Sequence, residues 1–306
     1  MELLRQCRKR VEDVSRGDGV RRQKAGMARK ETWGELLNFS SPWRKLWANR
    51  YFVQQITLRN IQTKFKGSFL GAVWLLVFPL LMLTIYSFVF CVVFKTRWGA
   101  VAGQQDSKMM FALMLFCGMA VYNIFSESVG GGVSSITDRV NYVKKIITPL
   151  ELLPLTSVGS ALIVSLLWFA ILAVGVLLVY GFLPWTVICL PLLLIPVTLF
   201  SAGCAWFVAS LGVYIRDFGQ LVPILLQVLF FLTPIFYSQD MLPEPYRSIM
   251  AYNPLAVLVQ HGRMIFLYGK LPPFHEVFWM YLCSFAVFEL GYLWFMKTKR
   301  GFADVI

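Results

Sequence analysis

From Leu152 to Ile215 the chain runs for 64 residues without one charged side chain. As a continuous helix at 1.5 Å per residue that stretch would be roughly 96 Å long, about three hydrocarbon cores of a bilayer. It must therefore fold back within a membrane. Tyr180, Gly181, Phe182, Leu183, Pro184 and Trp185 form the natural turn, since Gly and Pro interrupt a helix and aromatic rings suit the membrane boundary. Two spans, the third and fourth of the chain, lie on either side of it.

The same reasoning locates four more. Gly67 to Phe94 holds 28 residues without charge, with Pro79 inside, and forms the first span. Met109 to about Val129 forms the second, ending at Glu127 and at Gly130, Gly131 and Gly132, which are expected to break or bend the helix. Tyr214 to Phe218 is a tight charged turn into a fifth span, Gly219 to Phe236, which carries Pro223 and Pro234. Val277 to Met296 is the sixth. Between the last two, Leu255 to Tyr268 is too short to cross and contains His261 and Arg263, so re-entrant or interfacial helices are expected there. With 58% hydrophobic and 15% charged residues, the fold class is an all-α polytopic membrane protein of six transmembrane helices.

The formal charge of +13 does not point to nucleic acid. Of the 29 Lys and Arg, 16 precede Phe69 and most others sit in short loops. On a six-span plan 23 lie on one side and 6 on the other, which places both termini in the cytoplasm. Residues 1–32 read as a basic cytoplasmic extension, 33–66 as an amphipathic interfacial segment, and 67–306 as the six-span domain. In the interfacial segment Leu58, Ile61, Phe65 and Phe69 make a narrow apolar stripe flanked by Arg59, Asn60, Lys64 and Lys66. Such a helix lies on a membrane surface with its cations toward anionic head groups. The six cysteines show no close pairing and read as small core residues rather than a disulfide framework or zinc site.

No phosphate loop, H-E-x-x-H or G-x-S-x-G motif occurs, so the chain is expected to catalyse no reaction itself and to need no metal. Ionisable groups inside spans are costly, and Glu289, with Glu127 at a span end, is the candidate. Glu289 either lines a conduit, pairs across helices, or is structural.

A set of short motifs stands in order along this plan. They are Leu58-Arg59-Asn60-Ile61 and Lys64-Phe65-Lys66 followed by Leu70-Gly71 and Trp74; Asn141-Tyr142-Val143-Lys144-Lys145 leading to Pro149, Glu151 and Pro154; Arg216-Asp217; Thr233-Pro234-Ile235-Phe236-Tyr237; and Asn253-Pro254. In this combination, over about Leu58 to Gly301, the chain resembles the membrane subunit of type-2 ABC exporters, in the branch that exports O-antigen, capsule or teichoic acid. One departure is Leu150, where that family often has Arg before the Glu. The resemblance implies a homodimer in the bacterial inner membrane, joined by two cytoplasmic ATP-binding subunits that hold ATP and Mg. A polyprenyl-pyrophosphate-linked glycan would pass through a channel between the two permeases.

Each candidate site follows from charge or ring chemistry. Arg139, Tyr142, Lys144, Lys145, Glu151, Arg216 and Asp217 make compact charged elements between span ends, suited to docking an ATPase. Arg59, Lys64 and Lys66 offer cations at the interface where a lipid pyrophosphate would arrive. Trp74, Tyr86, Phe230, Phe231, Phe236 and Tyr237 offer ring faces on which pyranose units could stack along a channel, although packing or lipid contact explains any single one as readily. Two other classes stay open: a membrane-embedded transferase acting on polyprenyl-phosphate-linked sugars, and an ion-driven secondary transporter. The first calls for clustered acidic or His side chains and the second for midplane charges with internal repeats.

Overall fold

A computed structural model describes residues 41–93, 108–139, 149–238 and 242–305. The basic extension, residues 33–40 of the interfacial segment, the loop from 94 to 107, and Tyr142, Lys144 and Lys145 lie outside the described residues. Among those described, all regular structure is helical. Five helical segments are long and apolar enough to cross a bilayer: Gly71–Phe90, Met109–Val133, Leu152–Tyr180, Trp185–Tyr214 and Phe274–Gly301. The expected fifth span is realised as a helix of 15 residues, Phe218–Leu232, which is about 22 Å long and shorter than a hydrocarbon core.

The chain begins with α1 (Ser41–Ala48) and α2 (Arg50–Phe65). The face of α2 that packs is set by small and polar groups. Ile56 and Thr57 are buried, Thr57 Oγ1 donates to the Thr156 carbonyl at 3.4 Å, and Asn60 Nδ2 donates to Thr156 Oγ1 at 3.1 Å. Leu58 and Phe69, two members of the apolar stripe, are left exposed. After α2 the backbone turns through Gly67 at φ +84°, a conformation that a Cβ would strain, and enters α3 (Trp74–Ser87) through a short 3₁₀ turn. α3 continues through Pro79 and leaves Phe78, Leu80, Leu81 and Ile85 exposed.

α4 (Lys108–Val133) is the buried centre of the bundle. α5 (Leu152–Tyr180), α6 (Leu190–Tyr214), α7 (Phe218–Leu232) and α9 (Pro254–Phe266) pack against it, with the short α8 (Tyr246–Ala251) before α9. Phe116 of α4 stacks on Trp168 of α5 at 5.4 Å between ring centroids. The glycine triplet corrects the sequence expectation, because α4 runs through Gly130, Gly131 and Gly132 unbroken and ends only after Val133. The reason is lateral. A Cβ on Gly131 would come within 3.1 Å of Ser157 Cβ, and one on Gly132 within 3.2 Å of the Ala205 backbone, so these glycines let α5 and α6 approach.

α10 (Phe274–Thr298) packs closely on α6. A Cβ on Gly291 would overlap the Gly203 carbonyl, and one on Gly203 would overlap the Val287 carbonyl, so the two backbones touch there. In hydrocarbon, where apolar side chains gain little from leaving lipid, such backbone contact supplies the helix association. A terminal turn and α11 (Phe302–Val305) fold back, burying Phe302 against Phe295 and Tyr214.

Candidate functional site

Lys64, Arg139, Arg216 and Lys299 mark one end of the bundle, termed here the basic end. A cleft of about 560 Å³ opens there between α2, the end of α4 and the start of α5. Its walls carry Arg59, Asn60, Lys64, Glu127, Asp138 and Arg139, with Ser134, Ser135, Ser157 and Ser160 supplying hydroxyls. Arg139 donates to Asn60 Oδ1, and Lys64 pairs with Glu127. Two of the three cations expected to meet a pyrophosphate, Arg59 and Lys64, thus share a polar cleft with Arg139, which the sequence had grouped with the docking loop. Lys66 is exposed and does not line it. A second cleft, of about 420 Å³, shares Lys64 and Glu127 and continues between α3, α4 and α5 past Trp74, Leu75, Phe78 and Trp168. Trp74 sits here, its Nε1 donating to Ser68 Oγ at 2.9 Å, apart from the other candidate lining rings.

Those other rings gather at the far end. Tyr86 lies 5.3 Å from Phe236, and Phe230 and Phe231 lie 5.1 Å and 5.6 Å from it. Phe236 is the hub and only 4% exposed, so the open surface of the cluster is carried by Phe231, at 52%. The Tyr237 hydroxyl donates to the Leu232 carbonyl at 3.1 Å, closing the end of α7.

The candidate docking residues separate into two kinds. Arg216 and Asp217 are exposed at the turn between α6 and α7. Glu151, in contrast, is withdrawn from any surface at 3% exposure. Its carboxylate binds Lys299 at 2.6 Å and Lys45 at 3.1 Å, while its carbonyl accepts Trp206 Nε1 at 2.8 Å. Burial opposes ionisation of that carboxyl, but Lys299 and Lys45 outweigh it and hold its pKa below the usual carboxylate range. Lys45 is correspondingly raised: burial works against its charge, and Glu151 with Tyr292 overcomes that. The sequence offers Glu151 as a docking contact, whereas its geometry is that of a clamp joining α1, α5 and the end of α10. Neither lysine was legible as its partner, since they lie 106 residues before and 148 after it.

Glu289 is buried in α10, and its Oε1 has no hydrogen-bond partner among the described residues. Arg263 of α9 escaped the sequence reading as a functional group. It is buried and donates to the carbonyls of Met114, Pro234 and Ile235 at 3.3, 2.9 and 2.8 Å. An arginine within an otherwise largely apolar 13-residue helix was the available signal.

Long apolar helices around a buried α4, with a polar cleft at the basic end, define a multi-pass membrane protein. The chain belongs to the ABC-2 type transporter family, whose profile matches residues 51–267. Among its relatives, the O-antigen export system permease protein RfbA of Klebsiella pneumoniae is 27% identical over 256 residues, covering 82% of this chain and 93% of that protein. The protein of the same name from Myxococcus xanthus is 28% identical over 275 residues, covering 86% and 98%. The polysialic acid transport protein KpsM of Escherichia coli is 25% identical over 231 residues, covering 72% and 82%.

Proposed function

We propose that the chain is the permease subunit of an ATP-driven exporter that moves a lipid-linked polysaccharide, of O-antigen or capsule type, across the bacterial inner membrane. The observation that carries this reading is the similarity, over 72% to 86% of the chain, to proteins named for O-antigen export and polysialic acid transport. In this reading two copies enclose the channel and two ATP-binding subunits dock beneath them. The chain crosses six times, with the 15-residue α7 and the Thr233–Tyr237 segment together making the fifth crossing, and both termini are cytoplasmic. The charge asymmetry of 23 to 6 supports that orientation. α3 and α7 carry the exposed apolar faces available to a second copy, among them Phe78, Leu81 and Ile85 of α3 and Leu221, Leu225 and Val228 of α7.

The basic cleft then receives the pyrophosphate. Arg59, Lys64 and Arg139 are disposed around it and supply its donors, while Ser135, Ser157 and Ser160 give their hydroxyl protons to backbone carbonyls of the fold. The Lys64–Glu127 pair stands where the polar cleft meets the apolar one, so an arriving phosphate would compete with Glu127 for Lys64. Beyond it, rings bind pyranose faces weakly enough for a polymer to slide, and Phe231 presents the exposed face of that lining. Arg216 and Asp217, with the 140–148 loop, meet the ATPase. ATP bound there shifts the equilibrium between closed and open dimers.

The test is surface glycan per inserted permease in a strain lacking the chromosomal copy, with the cognate ATPase present. Export should require both subunits and nucleotide, and Phe231→Ala should lower it while the inserted amount holds. A permease that sustains export without any ATPase partner, or a Phe231→Ala variant whose export follows its abundance, overturns the respective part of the reading.

A further inference from the structure

Helix α7 ends at Leu232, and the chain that follows, Thr233 to Phe236, runs buried in the protein, where the helix end leaves backbone carbonyls without helical partners. In a membrane such groups have no water to meet and must be satisfied by the protein. The break is filled in a definite way. Thr233 N donates to the Leu229 carbonyl at 2.8 Å, and Tyr237 closes on Leu232. The Pro234 and Ile235 carbonyls are taken by the two Nη groups of Arg263, while its Nε reaches Met114 of α4. A planar fork with several fixed donors binds two successive carbonyls and a third group in one set geometry, which the rotating donors of an ammonium do not fix. α4 makes room for it: a Cβ on Gly118 would press within 3.2 Å of both Arg263 Nη2 and Ile235 Cγ2.

The residue that follows the gripped pair is Phe236, the hub of the far-end aromatic cluster. Helix α9, which carries Arg263, is itself fixed elsewhere. Thr186 Oγ1 donates to the Ile265 carbonyl at 2.6 Å, and the His261 ring meets the Glu276 carboxylate at 3.1 Å at the start of α10. Asn253 caps its first turn through Leu255 N at 3.0 Å. Arg263 is thus the polar connection between a pinned helix and the backbone that sets the rings.

We propose that Arg263 is a positioning residue for the aromatic exit: it carries the placement of α9 to Phe236 and Phe231 by holding the Pro234–Ile235 backbone. The proposal rests on the reading of those rings as part of the glycan path. Arg263 touches no substrate. Its effect is exerted through the backbone it grips, so movement of α9 moves the rings.

The experiment uses the full chain co-expressed with its ATPase, in a background whose own cysteines are replaced, with Thr233→Cys as reporter. Thr233 is fully buried. Arg263→Gln removes the fork. The expected result is a rise of at least tenfold in labelling of the reporter by a membrane-impermeant maleimide, and a loss of about tenfold in glycan exported per inserted chain. Arg263→Lys, which keeps charge but not the fork, should recover less than half of the export. Gly118→Ala keeps the guanidinium and displaces it by a few tenths of an ångström, and should shift both readouts in the same direction by a smaller factor. Unchanged labelling with export falling only in step with abundance overturns the proposal, as does full rescue by lysine. If Arg263→Gln fails to insert, an unchanged Gly118→Ala overturns it alone. A Phe231→Ala variant that exports normally refutes the aromatic path, while the labelling arm still decides whether Arg263 holds the segment.

Discussion

Replacing Glu151 with Gln isolates the charge that joins three remote segments. The carboxylate is almost wholly buried, and its two lysine partners are about 30% exposed, at 30% and 29%. At an effective dielectric of about 20, unit charges at the 2.6 and 3.1 Å of these contacts attract by roughly 5–6 kcal/mol each before desolvation, which cancels much of it. Breaking a buried pair by removing one partner typically costs about 3–5 kcal/mol. Here the stranded ammonium groups can turn partly toward water, so the expected loss is about 2–3 kcal/mol. For a chain of this size that is a fall in Tm on the order of 4–10 °C. The assay is thermal unfolding of the detergent-purified protein at about pH 7.5, well above the range in which the Glu151 carboxyl titrates, combined with Lys299→Met in a double-mutant cycle. The lysine substitution should cost much less in the Glu151→Gln background than in the parent, since its partner is already gone. The pH dependence is fixed by sign. A carboxylate held below its unfolded pKa contributes fully above that ordinary value of about 4.3, and the contribution is lost as pH falls through the lower folded value. The difference between parent and Glu151→Gln should therefore be flat from about pH 5.5 to 8 and shrink in the acid range below the unfolded carboxylate pKa. A Tm change under about 1 °C, or additive single losses, refutes the clamp.

Gly291→Ala places a methyl group against the Gly203 carbonyl and should force α6 and α10 apart, at a cost of about 3 kcal/mol or more, read as loss of folded inserted protein; normal abundance and Tm would show that the backbones do not touch. Lys64→Glu should lower export per inserted chain severalfold while changing stability by less than about 1 kcal/mol, because the pair is partly exposed, and Lys64→Glu with Glu127→Lys should restore less export than stability if Lys64 itself meets phosphate. Full recovery of export in the swap assigns the pair a structural role only. Asp217→Lys should insert normally yet reduce ATPase stimulation and export together, measured in membranes against the parent; an unaltered rate removes the α6–α7 turn from the coupling surface.

Much of the architecture was legible because hydrocarbon imposes a simple rule. A segment without charge and long enough to cross must be helical, since only a helix satisfies its own backbone. That rule located the five long spans and the turn at Gly181, and the motif order from Leu58 to Asn253 carried the family. The glycine triplet was misread for a physical reason. In water-soluble sequence Gly weakens a helix, but in a packed membrane bundle its missing side chain is the contact, and only the positions of Ser157 and Ala205 reveal that.

The site was legible in kind but not in assembly. Arg59 and Lys64 announced a cationic face by composition alone; that Arg139, 80 residues after Arg59, closes the same cleft depends on α2 packing on α5 beside the turn that follows α4. The aromatic residues were visible as a set, while their division into a buried hub at Phe236 and an open face at Phe231 required the break after α7. Local pattern thus determined which segments are helices and which carry charge, because those follow from the polarity of each residue against its solvent. Which charges meet was decided by tertiary structure: Glu151 with Lys45 and Lys299, and Arg263 with the Pro234 and Ile235 carbonyls, join positions distant in sequence, and no one-dimensional period encodes such a distance.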